Sequence, residues 1–313
     1  MRAPRPAPRA PRPLFSLLAQ PRPSTRTRPG PTPSPTPTHS PLPPTGAADS
    51  IVYEAPPAAK EPKDAFALCV QYVGSGVLSG WSDGIMRFHE AGELVWRSSG
   101  LAHRGGVCAL AWSPTFIVSG GPDGTLRVWN AKTRAHEAQF SEHKGKVTGV
   151  LIDREKPNLI HSCGVDKTVV TVDLHVERRV TCHAAQEGQF ECMVQLRDGE
   201  QELVTGDHAG CIKTWDCDVP EPVSMIVTIP PSEIESALER RLNHLALSKD
   251  DKYLLASTAA GDVQVWELRN PAAPISVGRA HSHAVTEAHW SPDGKQAVSV
   301  GTDSCICVWN FFG

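Results

Sequence analysis

Gly120-Gly121-Pro122-Asp123-Gly124-Thr125-Leu126-Arg127-Val128-Trp129-Asn130 is a tight Gly/Asp turn that runs into a short apolar strand and closes on a tryptophan. The design returns at the far end of the chain as Val300-Gly301-Thr302-Asp303-Ser304-Cys305-Ile306-Cys307-Val308-Trp309-Asn310. Aligned on the turn, six copies place His89, Trp129, Val172, Trp215, Trp266 and Trp309 at the closing position, 40, 43, 43, 51 and 43 residues apart. A period of this size with polar turns and a closing indole is that of a propeller blade of four antiparallel strands. The expected fold is therefore all-β, a β-propeller of six recognisable blades. Their expected spans are 64–100, 101–140, 141–181, 182–229, 230–278 and 279–313.

Four strands can be read inside the second repeat. Val107 to Trp112 is apolar on both faces, as an innermost strand walled by neighbouring blades must be. Phe116 to Ser119 follows, then Thr125 to Trp129, and finally the polar Ala135 to Phe140, which suits the rim. Hydrophobicity falls from axis to edge, as radial packing requires.

A second pattern concerns what holds each blade. His103, Ser119, Asp123 and Trp129 recur as His281, Ser299, Asp303 and Trp309. An Asp in the turn can accept from the His, the His can bond the Ser, and the Ser can accept from the indole N–H, so a polar chain is buried without orphans. The other repeats keep fragments: Ser79 and Asp83 in the first, His143, Ser162 and Asp166 in the third, His183, Thr205 and Trp215 in the fourth, Trp266 alone in the fifth. Sets of His, Ser and Asp also suit nucleophilic catalysis, but identical sets at the blade period read as structure. The second and sixth blades should be the stiffest.

The net charge of −3 conceals a split. Residues 1–50 hold seven Arg, one acid (Asp49) and fifteen Pro, whereas the rest carries 24 basic and 33 acidic residues. So many prolines forbid an amphipathic targeting helix, and 1–50 reads as a disordered, polyproline-like tail. The acidic remainder argues against nucleic acid as a partner. Leu14-Phe15-Ser16-Leu17-Leu18-Ala19 is too short to span a bilayer, so no membrane role is expected. The nine cysteines form no C-x-x-C pair and read as buried thiols of a reducing, cytoplasmic compartment. No cofactor or metal is expected.

Two irregularities remain. The last repeat ends at Phe311-Phe312-Gly313 without a fourth strand, and Ile51-Val52-Tyr53-Glu54 is expected to supply it, making 51–313 one closed domain. The long gap before Trp266 holds Pro230 to Arg241, where Ser232 and Glu235 have capping-box spacing, so a short helix is expected there.

Gly120–Asn130, Ser299–Asn310 and Leu203–Asp216 resemble the WD-repeat family of β-propellers, with Ala102-His103, Glu142-His143 and Ala280-His281 where that family has Gly-His. The resemblance covers about residues 64–313 and implies the fold rather than a function. Leu78-Ser79-Gly80-Trp81-Ser82-Asp83-Gly84-Ile85-Met86-Arg87-Phe88, with His103-Arg104-Gly105-Gly106-Val107 and His143-Lys144-Gly145-Lys146-Val147, resembles the later half of WD-repeat members of the cilia- and flagella-associated group. That likeness implies a place inside the doublet microtubules of motile axonemes.

The leading expectation is a non-enzymatic scaffold that docks proteins. Arg104, Lys144 and Lys146 are loop cations that suit an acidic partner such as tubulin, though solvated loop cations are the more ordinary reading. A general cytosolic adaptor or modified-peptide reader is the alternative, the latter needing an aromatic or acidic pocket at the channel mouth. A propeller enzyme would need converging acids or histidines. The inner strands offer Cys69, Cys108, Thr148, His244 and His289 and are expected to hold no paired acids.

Overall fold

In the computed structural model of the chain, each repeat becomes one antiparallel sheet. The structure describes residues 15–17, 65–98, 100–197, 202–216, 219, 221–228 and 236–312. An N-terminal strand β1 (Phe15–Leu17) precedes the first sheet, which comprises β2 (Ala67–Val73), β3 (Gly76–Trp81), β4 (Met86–Glu90) and β5 (Glu93–Arg97). The second sheet is β6 (Ala109–Trp112), β7 (Phe116–Gly120), β8 (Leu126–Asn130) and β9 (His136–Phe140). The third is β10 (Val147–Ile152), β11 (Leu159–Gly164), β12 (Thr168–Asp173) and β13 (Arg178–Ala184), reaching past the expected boundary at 181. The fourth is β14 (Phe190–Gln195), β15 (Glu202–Asp207), β16 (Cys211–Asp216) and β17 (Ser224–Val227). After helix α1 (Ala237–Arg240) comes the fifth, β18 (Leu242–Leu247), β19 (Tyr253–Thr258), β20 (Asp262–Glu267) and β21 (Ser276–Arg279). The sixth contains β22 (Val285–Trp290), β23 (Gln296–Gly301) and β24 (Ile306–Phe311).

The first strand of every sheet lines one axial channel of about 390 Å³, so the sheets stand around it as blades. The core lies between blades. One apolar cluster fills each junction from the first–second (Leu78, Met86, Val107, Ile117, Trp129) to the fifth–sixth (Leu255, Val263, Val285, Trp309). Burying one Leu, Ile or Val there contributes about 1.5–3 kcal/mol. A recurrent fit closes the junctions near the axis. A Cβ on Gly80 would lie 2.7 Å from the Val107 side chain, one on Gly120 2.6 Å from Val147, and one on Gly206 3.1 Å from Leu242. At these three junctions the bulky residue opening the inner strand thus rests on the bare backbone of the preceding blade.

The turn between second and third strands puts one residue in the left-handed region in all six blades: Gly84, Gly124, Lys167, Gly210, Gly261 and Ser304, with φ of 80, 72, 66, 84, 95 and 62°. Gly escapes the Cβ penalty there, while Lys167 and Ser304 bear it. At Gly124 the next blade also presses in, since a Cβ would meet the His143 carbonyl oxygen at 2.4 Å.

Two expectations need correction. The free edge of β24 pairs with β1, in register Phe15↔Phe311 to Leu17↔Trp309, so the last sheet's fourth strand comes from within the stretch read as a tail and not from Ile51–Glu54. The physical reason is that Phe15-Ser16-Leu17 sits in a proline-free apolar run able to satisfy a full ladder. Residues 51–54 lie outside the described residues. The short helix exists, but its N-cap is Ser236 without a side-chain hydrogen bond, and Ser232 and Glu235 also lie outside the described residues. Leu238, which takes the place of the fifth blade's His, is exposed.

Candidate functional site

The loops that enter the inner strands carry the histidines, and the turns after the second strands carry the aspartates, so both gather on one end of the propeller. In the second blade His103 Nδ1 lies 3.0 Å from Asp123 Oδ1 and Nε2 lies 2.9 Å from Ser119 Oγ. The Trp129 indole N–H donates to the same Oγ at 3.0 Å. With Nδ1–H donating to Asp123, Nε2 accepts from the Ser119 hydroxyl, and every group is satisfied. The sixth blade repeats this, with 3.1 Å between His281 and Asp303, 2.8 Å to Ser299, and 2.8 Å from the Trp309 indole to Ser299. In the third, His143 joins Asp166 at 3.1 Å and Ser162 at 2.9 Å, with Val172 in place of the indole. The three serines are buried and committed to these bonds, which closes them to a substrate.

The remaining blades solve the same problem differently. Gly121, Gly164 and Gly301 follow the network serines by two positions, and a Cβ on Gly121 would lie 2.4 Å from the His103 ring. The fourth blade has Asp207 at this position. Buried Lys213 donates to Asp207 at 2.8 Å and to the Glu187 carbonyl at 2.8 Å, while the Trp215 indole donates to Thr205 at 2.8 Å. His183, expected to serve this blade, instead sits in β13 of the third blade opposite Val169, where it is buried with no hydrogen-bond partner at either nitrogen. It rests beside the Trp215 ring, 5.8 Å between centroids. The first blade has Trp81 at the equivalent position, and its indole donates to Ser79 at 2.9 Å, supplying the bond that His89 cannot. Arg87 lies over the Trp81 ring at 4.5 Å and donates to both Asp83 oxygens at 3.2 and 2.6 Å. In the fifth, the Trp266 indole donates to Gln264 at 3.1 Å. The cations Arg87 and Lys213 were not anticipated. Their signal was a bulky residue where the glycine should stand.

Burial alone would raise the Asp303 carboxyl, but bonds from His281 and from the Ser282 and Cys305 N–H groups outweigh it and hold it at about 2. Burial lowers His103 despite Asp123 beside it. A further buried set went unread in the sequence: Asp153 receives His161 at 3.0 Å and Gln195 at 2.9 Å, stitching the third blade to the fourth. Against the effect of burial, the bond from His161 and the Lys156 and Glu155 N–H groups lower Asp153 to about 2.

Arg104, Lys144 and Lys146 are exposed on this same end. The Arg104 and Lys144 backbone N–H groups donate to Asp123 and Asp166 at 3.3 and 2.8 Å, which fixes the loops and frees the side chains. Lys146 stands near enough to the channel to draw the Cys108 thiol down, against the stronger upward push of burial.

The channel opens among these loops. Bulges between Ala67 and Cys69, Val147 and Gly149, Phe190 and Cys192, Leu242 and His244, and Val285 and Glu287 turn one residue per inner strand towards it. Two of these reach the next blade: Thr148 Oγ1 donates to the Phe190 carbonyl and Asn243 Nδ2 to the Val285 carbonyl, both at 2.7 Å. The expectation of no paired acids needs refinement, because Glu191 and Glu287 both line the channel from different blades. His244 packs on His289 with ring centroids 4.6 Å apart, and His289 Nε2 lies 3.4 Å from Glu287. Burial, then His289, lowers His244 to about 4, so it is neutral at pH 7. The Cys69 thiol, raised to about 12 chiefly by burial, is inert. Among the described residues no group of three His, Cys, Asp or Glu could hold a metal ion, and no helix is long and apolar enough to cross a membrane.

Sheets in a ring about a channel, with variable loops at its ends, define a β-propeller. The family model described as "WD domain, G-beta repeat" matches residues 97–130 and 273–310, within which lie the second- and sixth-blade turns. Cilia- and flagella-associated protein 52 is 27% identical over 76% of this chain in Homo sapiens and 29% identical over 79% in Chlamydomonas reinhardtii. The chain spans 37% and 39% of those relatives' lengths. The Dictyostelium discoideum periodic tryptophan protein 2 homolog is 25% identical over 70% of the chain and 24% of its own length. A chain in the crystal structure of the mitotic checkpoint complex superposes with a TM-score of 0.69 and 16% identity, covering 81% of this chain and 77% of that one, which is a likeness of fold.

Proposed function

We propose that this protein is a non-enzymatic scaffold that docks other proteins on the loop-bearing end of its propeller, and that its place is the ciliary or flagellar axoneme. The observation that carries the reading is the run of likeness to cilia- and flagella-associated protein 52 across three quarters of the chain. The geometry supports it: the His/Ser/Asp sets are closed to substrate, and Arg104, Lys144 and Lys146 form an exposed cationic edge beside the channel. Such an edge suits the acidic surface of tubulin or of an axonemal protein on doublet microtubules. Proximity labelling in ciliated cells tests the location, with axonemal neighbours expected and purely cytosolic ones contradicting it. Co-sedimentation with purified microtubules tests the contact. Reversing all three charges to Glu should abolish salt-sensitive binding, and unchanged binding removes them from the interface.

A second reading is favoured by the channel itself. Glu191 and Glu287 supply the acidic mouth that a reader of a cationic side chain needs. Glu191→Gln with Glu287→Gln would then weaken binding of Lys- or Arg-bearing peptides while leaving microtubule binding intact.

A further inference from the structure

Among the described residues, five blade junctions are filled by apolar clusters, and the sixth, between the last blade and the first, is not. Side chains on the second and third strands that face the next blade are buried in each of the first five: Leu78 and Met86, Val118 and Leu126, Val204 and Ile212, Leu255 and Val263 at 0–1% exposure, with His161 and Val169 between them at 0%. Their counterparts in the last blade are Val298 at 38% and Ile306 at 72%. Across the seam, Val70 stands where Val150, Met193, Leu245 and Ala288 are buried, yet it is 55% exposed, and Tyr72 beside it is 78% exposed. Both walls therefore have the composition of a junction and the exposure of a surface. A blade wall that met water would carry polar side chains. This one keeps Val298, Val300, Ile306 and Val308.

We infer that the seam between the sixth and first blades is a docking site for one antiparallel β-sheet brought by a second polypeptide, which completes the ring as an additional blade. The occupant is argued from continuity with the five junctions in the same molecule, where the same two kinds of wall each take the flank of a sheet. Val300 occupies the position held by Gly80, Gly120 and Gly206 in other blades, where even a Cβ has no room. The arriving inner strand therefore carries a small residue where those blades receive Val107, Val147 and Leu242. Fifteen prolines, which lack an N–H, make the first fifty residues of this chain a poor source of a four-stranded ladder. The first blade itself presents Ala67 at the matching point, so closure of the ring on itself is the rival that the test must separate.

The test grafts a sheet of known character. Residues 101–140 carrying Val107→Ala are joined by a flexible linker after Gly313 of the full chain, and hydroxyl-radical footprinting reads Tyr72, Val298 and Ile306. The seam accepts a sheet if the graft lowers oxidation of all three at least threefold and raises the thermal midpoint by roughly 5 °C. Ile306→Glu in the fusion should undo both effects, and a polar linker of equal length should produce neither. The inference is overturned if the graft changes nothing. It is also overturned if the ungrafted monomer already shields these residues, which means self-closure or cover by another stretch of the same polypeptide. The occupant proposed is a different polypeptide, so shielding that appears only as the ungrafted chain dimerises makes a second copy the occupant and likewise overturns the inference.

Discussion

Ser119 accepts the Trp129 indole and bonds His103 at once, so its removal strands two buried groups. Each orphan costs about 1–3 kcal/mol, and Ser119→Ala should lower stability in urea unfolding by roughly 2 kcal/mol or more. His183 makes the opposite case. Its nitrogens already lack partners, so His183→Leu should cost less than about 0.5 kcal/mol or stabilise. The sequence reading misplaced this histidine: the network histidines stand four residues before Val107, Val147 and Val285, whereas His183 stands seven before Phe190 and so falls in β13. Arg87 and Lys213 were invisible because a lone cation two residues before the closing position reads as an ordinary exposed strand residue until the missing glycine is noticed.

At the scale of elements, the turn before each third strand offers a clean comparison. Ser304 sits at φ 62° without the Gly found in four of the six blades. Ser304→Gly should raise stability by about 0.5–1 kcal/mol, measured by thermal unfolding. Gly124→Ala should cost more than that, because it adds strain and drives a Cβ into the His143 carbonyl. The strands of the second blade were legible within two residues, since apolar alternation and Gly/Asp turns bound them. The closing strand was not. Ile51–Glu54 has the stronger β-propensity, but Phe15–Leu17 is what meets β24, and partner choice along a free edge is set by tertiary geometry that propensity does not encode. The short helix was legible and is present at Ala237–Arg240 after Ser236, while Ser232 and Glu235, whose spacing suggested it, lie outside the described residues.

For the whole molecule, acid sensitivity follows from the buried histidines and the bonded aspartates. His103 and His244 are lowered in the fold, chiefly by burial, so the unfolded chain takes up their protons first. Stability should therefore fall as pH drops below about 6.5, for His244 down to about 4. Asp153 and Asp303, held at about 2, are lowered below their unfolded value of 3.8, and their contribution is lost as pH falls from there through 2. Urea midpoints measured from pH 8 to pH 2 should decline in these two stages, whereas a single loss confined to pH below 4 would mean that the buried histidines contribute nothing. The ring was legible because a forty-residue period repeats a sheet that cannot bury its flanks alone. The open seam was not, because Val298 and Ile306 look in sequence like any other buried wall.

Hydrogen–deuterium exchange resolved along the chain tests the central claim, that six like sheets pack in series around an axis with one junction unfilled. Slow exchange should recur in β7, β11, β15 and β19, the second strands of the fully enclosed blades, with comparable protection in each. It should be weaker in β2 and β24 at the seam. Protection confined to one contiguous half of the chain, or equal at the seam and in the interior blades, would contradict the account.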